Sequence, residues 1–88
     1  MPSPKPISAA QVTAFLLEQT AALLDMETTE ISPDRDLSSY GLDSADAVLL
    51  SGALEELLDI EVDATIVLRN RTVAGVVEDL RKAGMLPA

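Results

Sequence analysis

Three separate stretches of this chain place apolar residues at helical spacing, each behind a residue able to cap a helix. In the first, Val12, Phe15, Leu16 and Leu23 recur on one face, with Leu24 at its flank. Ser8-Ala9-Ala10-Gln11 has the form of a capping box, and Ile7 and Val12 are placed as a hydrophobic staple around it. These signals predict a helix over 8–24. In the second, Ala47, Leu50, Leu54, Leu57 and Leu58 form a stripe, while Asp46, Glu55, Glu56 and Asp59 fall elsewhere. A helix from Ser44 to Leu58 follows, with Asp43 as N-cap, its carboxylate accepting from free amides and its charge suiting the positive helix end. In the third, Thr72 caps a helix whose stripe is Val73, Val76, Val77 and Leu80; Gly84 ends it and Pro87 prevents its resumption.

The remaining segments are less periodic. Asp63-Ala64-Thr65-Ile66-Val67-Leu68 reads as a short helix capped by Asp63; its β-branched residues suit a strand equally, but a lone strand has no sheet to join. Residues 25–42 hold five acids, Pro33 and Ser38-Ser39, a connection long enough to require packing or function, with Ile31, Leu37 and Leu42 spaced to pin it to the core. Asp34, Asp36 and Ser38 faintly imitate a calcium loop, but the glycine and the terminal acid are misplaced for one. Gly52, inside the second helix, costs about 0.5–1 kcal/mol relative to alanine, so it marks a close approach to the backbone or a tolerated position. The expectation is an all-α fold of four antiparallel-leaning helices around one aliphatic core. Residues 1–7, alternating proline with small or charged residues, are expected to be a disordered lead, 8–83 the helical domain and 84–88 a C-terminal tail.

Composition narrows the chemistry. The 88 residues include no cysteine and no histidine, so a disulfide framework, a thiolate metal site and any Ser-His triad are excluded, and neither a catalytic nor a metal-binding residue is nominated. No apolar run approaches membrane-spanning length and the start lacks a signal-peptide core, so a cytoplasmic protein is expected. The net charge of -9 is concentrated: residues 25–63 carry twelve acids against Arg35 alone, while the segments on either side are neutral or slightly basic. Such a middle repels nucleic acid and anionic membrane and steers basic protein surfaces toward itself.

At the start of the second helix stands Gly41-Leu42-Asp43-Ser44. A serine there is most often a cap, but Asp43 can take that duty, leaving Ser44 at the first helical position with a free hydroxyl, where a phosphate ester gains from the helix N-terminus. The neighbouring acids Asp43 and Asp46 repel a bare phosphate and make better sense as handles for a basic partner. The segment GLDSADAVLLSGALEELLDIEVDATIVLRNRTVAGVVEDL, residues 41–80, resembles acyl and peptidyl carrier proteins: the glycine and Asp-Ser, the Leu54-Glu55-Glu56 run, a short third helix and a threonine-started fourth. The likeness covers about residues 8–82.

What the resemblance implies is a four-helix carrier bundle with a long first loop and a short third helix, a non-catalytic protein whose Ser44 is esterified with 4′-phosphopantetheine from coenzyme A and carries acyl cargo as a thioester. It also implies a phosphopantetheinyl transferase, an acyl-loading enzyme (an adenylate-forming ligase or an acyltransferase) and synthase, transferase or tailoring enzymes as partners of a monomer. Asp43, Asp46, Glu55 and Glu56 match the acids of the partner-docking face. The chain departs from the pattern at Ala45, where leucine or methionine is usual, at Leu49, where fatty-acid carriers commonly place an acid, and at Gly52, where a larger apolar residue often stands. Together with Val48, these positions make the docking face flatter and less charged. Tyr-Gly-Leu-Asp-Ser resembles carriers of polyketide and nonribosomal-peptide assembly more than those of fatty-acid synthesis. The alternatives are a peptidyl or aminoacyl carrier and a cofactor-free helical adaptor.

Overall fold

Each helix in the computed structural model begins where a side chain satisfies its first amides. The structure describes residues 7–86, which contain four α-helices and no strand: α1 (Ala9–Leu24), α2 (Ser44–Leu58), α3 (Ala64–Arg69) and α4 (Val73–Lys82). The Ser8 hydroxyl accepts from Gln11 N at 3.2 Å while the Gln11 side chain accepts from Ser8 N at 2.8 Å. Asp43 and Asp46 exchange the same pair of bonds at the head of α2, 2.9 and 3.2 Å long. The Asp63 carboxylate receives Thr65 N, and the Thr72 hydroxyl receives Gly75 N. α4 closes over Gly84, which lacks the Cβ that would strain its φ of 76°, and Met85 N then donates to Leu80 O at 3.0 Å. Neither this nor any other described helix is long and apolar enough to cross a membrane.

The apolar stripes meet in one core. Val12 and Leu16 of α1, Leu50 and Leu54 of α2, and Leu80 of α4 are all at most 2 % exposed, and Ile66, Val67 and the three valines of α4 close around them. Each such aliphatic side chain contributes about 1.5–3 kcal/mol through removal from water. Two details differ from the periodic reading. Leu23 is 37 % exposed, whereas Thr20 and Ala21 are buried. Leu57 and Leu58 are only half-buried at the edge of the core.

The core also draws on residues flanking 8–83. Ile7, assigned to the lead, packs against the core as the staple position requires, and Leu86, assigned to the tail, is buried there with Met85 beside it. The core thus recruits Ile7 before 8–83 and Met85 and Leu86 after it. The proposed disorder of residues 1–6 and the role of Pro87 lie outside the described residues.

The long α1–α2 connection is held rather than loose. It contains two 3₁₀ turns, Thr28–Glu30 and Leu37–Tyr40, and buries Ile31 and Leu37. Backbone bonds tie it to the α3–α4 linker and to the first turn of α4: Leu37 N donates to Arg71 O at 2.7 Å, and Ala74 N to Pro33 O at 2.9 Å. The Tyr40 hydroxyl accepts from Ser32 N at 3.0 Å, and the Arg35 guanidinium lies 5.5 Å from the Tyr40 ring centroid. These links set the second 3₁₀ turn in place, and that turn delivers the chain to the start of α2.

Candidate functional site

Gly41 ends the Leu37–Tyr40 turn with φ 95°, a conformation strained for any residue bearing a Cβ, and its N–H returns to Ser38 O at 3.0 Å. The reversal sends Leu42 half-buried toward the core and leaves Asp43 outside, positioned to cap. With Asp43 and Asp46 closing the capping box, the hydroxyl of Ser44 has no structural duty. Ser44 is exposed, is the first residue of α2, and its side chain makes no hydrogen bond among the described residues.

Ser44 stands at the mouth of an open cleft of about 360 Å³. Its floor is apolar, made by Leu37, Leu42, Ala47 and Val67, with Leu68 at the edge. Its polar rim consists of Asp36, Ser38, Asn70 and Arg71. The Ser38 hydroxyl and amide both donate to Asp36, at 2.7 and 2.9 Å, and hold its carboxyl below the ordinary value, Arg71 adding a smaller Coulombic pull from 3.8 Å. On the far wall, Asn70 Nδ2 donates to Ile66 O and to Asp79, while Arg69 pairs with Asp79 at 2.6 Å. These bonds fasten the end of α3 to α4, so the wall is braced from behind.

The sequence-nominated docking residues divide by role. Val48 and Leu49 are 53 % and 58 % exposed, and Ala45 and Gly52 are also exposed. A Cβ placed on Gly52 would meet nothing within 4 Å, so within the domain the position is tolerated rather than required by a close approach. The carboxylates of Asp43 and Asp46 are engaged with each other's amides, and Glu55 accepts from Val62 N at 3.1 Å, bracing the α2–α3 connection. Glu56 is exposed and makes no hydrogen bond or ion pair among the described residues. Sequence reasoning missed the far wall of the cleft. Leu68, Asn70 and Arg71 form it beside the first connection, which is tied to Arg71 O by Leu37 N across more than thirty residues, a pairing that leaves no local signature.

Comparison with known proteins gives a consistent picture. A family model described as phosphopantetheine attachment site matches residues 14–80. Over 76 residues, 85 % of this chain, there is 30 % identity to the nonribosomal peptide synthetase sidC of Arthroderma benhamiae; the chain spans 2 % of that synthetase's length. Among solved structures, a free-standing peptidyl carrier protein from an uncharacterized secondary metabolic pathway of Acinetobacter baumannii is 32 % identical, with a TM-score of 0.79 over 86 % of this chain and 95 % of that one. An Anabaena acyl carrier protein with a variant phosphopantetheinylation-site sequence is 26 % identical, with a TM-score of 0.77 over 94 % of each chain.

Proposed function

The chain belongs to the phosphopantetheine attachment-site family, and from that premise we propose that Ser44 bears the arm. Members of this family are carriers with a covalent 4′-phosphopantetheine group, handled by phosphopantetheinyl transferases and by the synthases and modifying enzymes they serve. The observation that carries the assignment is the division of labour at the head of α2: Asp43 caps the helix and Ser44 presents an uncommitted, exposed hydroxyl. The site fits the group, because a phosphodiester on Ser44 Oγ projects into solvent with an apolar-floored cleft alongside it. The arm's terminal thiol supplies the thioester linkage to cargo when bound. This chain's residues supply the attachment point, the orientation of the first bonds of the arm and the surface partners recognise. Tethering raises the effective concentration of cargo at each docked partner. The chain is therefore a substrate of successive enzymes rather than a catalyst.

The cargo belongs to secondary metabolism in this reading. Acyl groups of polyketide or related assembly suit the uncharged docking face around Val48 and Leu49. The similarity to a peptidyl carrier and to a peptide synthetase favours a second reading, in which the cargo is an aminoacyl or peptidyl group. Incubation with coenzyme A and a promiscuous transferase is expected to add one phosphopantetheinyl group to the intact mass. Ser44→Ala is expected to keep the fold and abolish that gain; modification that persists in the variant overturns the assignment. Offering the modified protein to amino-acid-activating and acyl-activating ligases, with mass readout, separates the two cargo classes.

A further inference from the structure

Resting on the reading that Ser44 bears the arm, we propose that Arg71 is the cation that holds the arm's phosphodiester at the mouth of the cleft, releasing its loose contact with Asp36 to do so. A phosphodiester on Ser44 enters an acid-rich neighbourhood, with Asp36 on the cleft rim and Asp43 and Asp46 at the helix head. One of the helix amides that could receive it, Asp46 N, is already taken by Asp43. A positive side chain would offset that repulsion, and the cleft offers a single one among the described residues, Arg71.

Arg71 is suited to this by what holds it and by what does not. Its backbone is fixed by the 2.7 Å bond from Leu37 N to its carbonyl, so the residue stays beside the cleft. Its side chain is 80 % exposed and lies 3.8 Å from Asp36, too long for a close ion pair. Asp36 does not depend on it, having two closer donors in Ser38. The other described arginines are committed: Arg69 to Asp79, Arg81 to Glu78 and Arg35 over Tyr40. A guanidinium presents paired donors in the geometry that phosphate oxygens accept. The first bonds of the arm would then be biased toward the cleft instead of sweeping freely through solvent.

The experiment uses the intact chain, loaded from coenzyme A and checked by mass, with ³¹P spectra of the phosphodiester and ¹⁵N spectra of the Arg71 Nε–H. At low salt, attachment of the arm is expected to shift the Arg71 Nε–H signal, and Arg71→Gln to move the ³¹P resonance toward that of the free pantetheine phosphodiester. An exposed ion pair changes the ratio of held to free arm by about two- to fivefold, so both shifts are expected to shrink at high salt. Arg71→Lys is expected to retain part of the ³¹P shift. Asp36→Asn, which removes the competing charge, is expected to enlarge it. Circular dichroism confirms the fold of each variant. A parent that gains no mass overturns the attachment reading itself. A parent that gains the arm while the Arg71 Nε–H signal stays where it is, or a ³¹P signal identical in parent and Arg71→Gln, overturns the role of Arg71 alone.

Discussion

Helices α2 and α4 both turn one face to the core but dispose of their other faces differently. α4 buries Val73, Val76, Val77 and Leu80, and clothes its outside with Glu78, Asp79, Arg81 and Lys82. Those charges are largely consumed within the domain: Arg81 pairs with Glu78, and Asp79 binds Arg69 and Asn70. α2 buries Ala47, Leu50, Ser51 and Leu54, yet leaves Val48 and Leu49 more than half in water. Single exposed apolar residues are ordinary. Here two neighbours stand one turn beyond Ser44, and Leu68, 49 % exposed, edges the same cleft. Folding gains nothing from this area, so the energy of covering it is available to a partner. α4 spends its outer face within the domain, whereas the outer face of α2 stays uncovered, which supports the proposal that partners dock there.

That contrast has a sharp test in stability. Leu54→Ala, at a fully buried position of α2, is expected to cost about 2–5 kcal/mol, a large share of the total for so small a domain. Leu49→Ala on the same helix is expected to stay within about 0.5 kcal/mol of the parent. Urea midpoints measure both. Comparable losses would mean that Leu49 supports the core, and the distinction between the two faces of α2 would collapse.

The next effect concerns recognition. Leu49→Glu is expected to leave the circular dichroism spectrum unchanged and to lower kcat/KM for loading by the cognate enzyme about tenfold or more, at any ionic strength, as for loss of an apolar anchor. Glu56→Lys alters a rim charge and is expected to slow loading at low salt and matter little at high salt. Steady-state loading at two salt concentrations separates them. An unfolded Leu49→Glu, or one that loads like the parent, removes the apolar face from docking.

The two mid-helix glycines refine the comparison at smaller scale. A Cβ on Gly75 of α4 would lie 2.9 Å from Asn70 Oδ1 and 3.1 Å from Thr72 Oγ1. Both neighbours are hydrogen-bonded, Asn70 to Ile66 and Asp79 and Thr72 to Gly75 itself, so moving them has a cost. Gly52 of α2 has open space instead. Gly52→Ala is therefore expected to stabilise the domain by about 0.5–1 kcal/mol, and Gly75→Ala to gain nothing or lose. Paired thermal melts decide it, and equal gains would show that Asn70 yields freely.

How far the sequence revealed this architecture depended on the range of the interaction. Caps act over three residues, and Ser8, Asp43, Asp63 and Thr72 all cap where their local patterns place them. Burial was legible along the azimuth of a helix but not along its axis: Leu23 is three turns from Val12 and shares its face, yet lies near the end of α1, where the chain tucks in the smaller Thr20 and Ala21. Ser44 was legible because its exposure follows from Asp43 taking the cap. The cleft was not, because its walls are brought together by the backbone bond from Leu37 N of the first connection to Arg71 O of the α3–α4 linker, which no side-chain pattern encodes.

The smallest effect is electrostatic and belongs to α4. The Asn70 amide and the Arg69 guanidinium, in that order, hold the Asp79 carboxyl below its ordinary value. A carboxyl whose folded value is depressed contributes stability that is fully present above its unfolded value, near pH 3.8 to 4, and is lost as pH falls through the lower folded value. The stability difference between the parent and Asp79→Asn is therefore expected to be constant at neutral and mildly acid pH and to narrow below about pH 4. It will not account for the whole acid loss, because Asp36, Asp63 and Glu78 are held down in the same direction, chiefly by bonds from Ser38, Thr65 and Arg81. Urea midpoints of both proteins between pH 3 and 7 measure the narrowing. A gap that stays constant to the lowest pH would show that Asp79 is not paired in solution, and that the outer face of α4 is less consumed by the domain than its geometry shows.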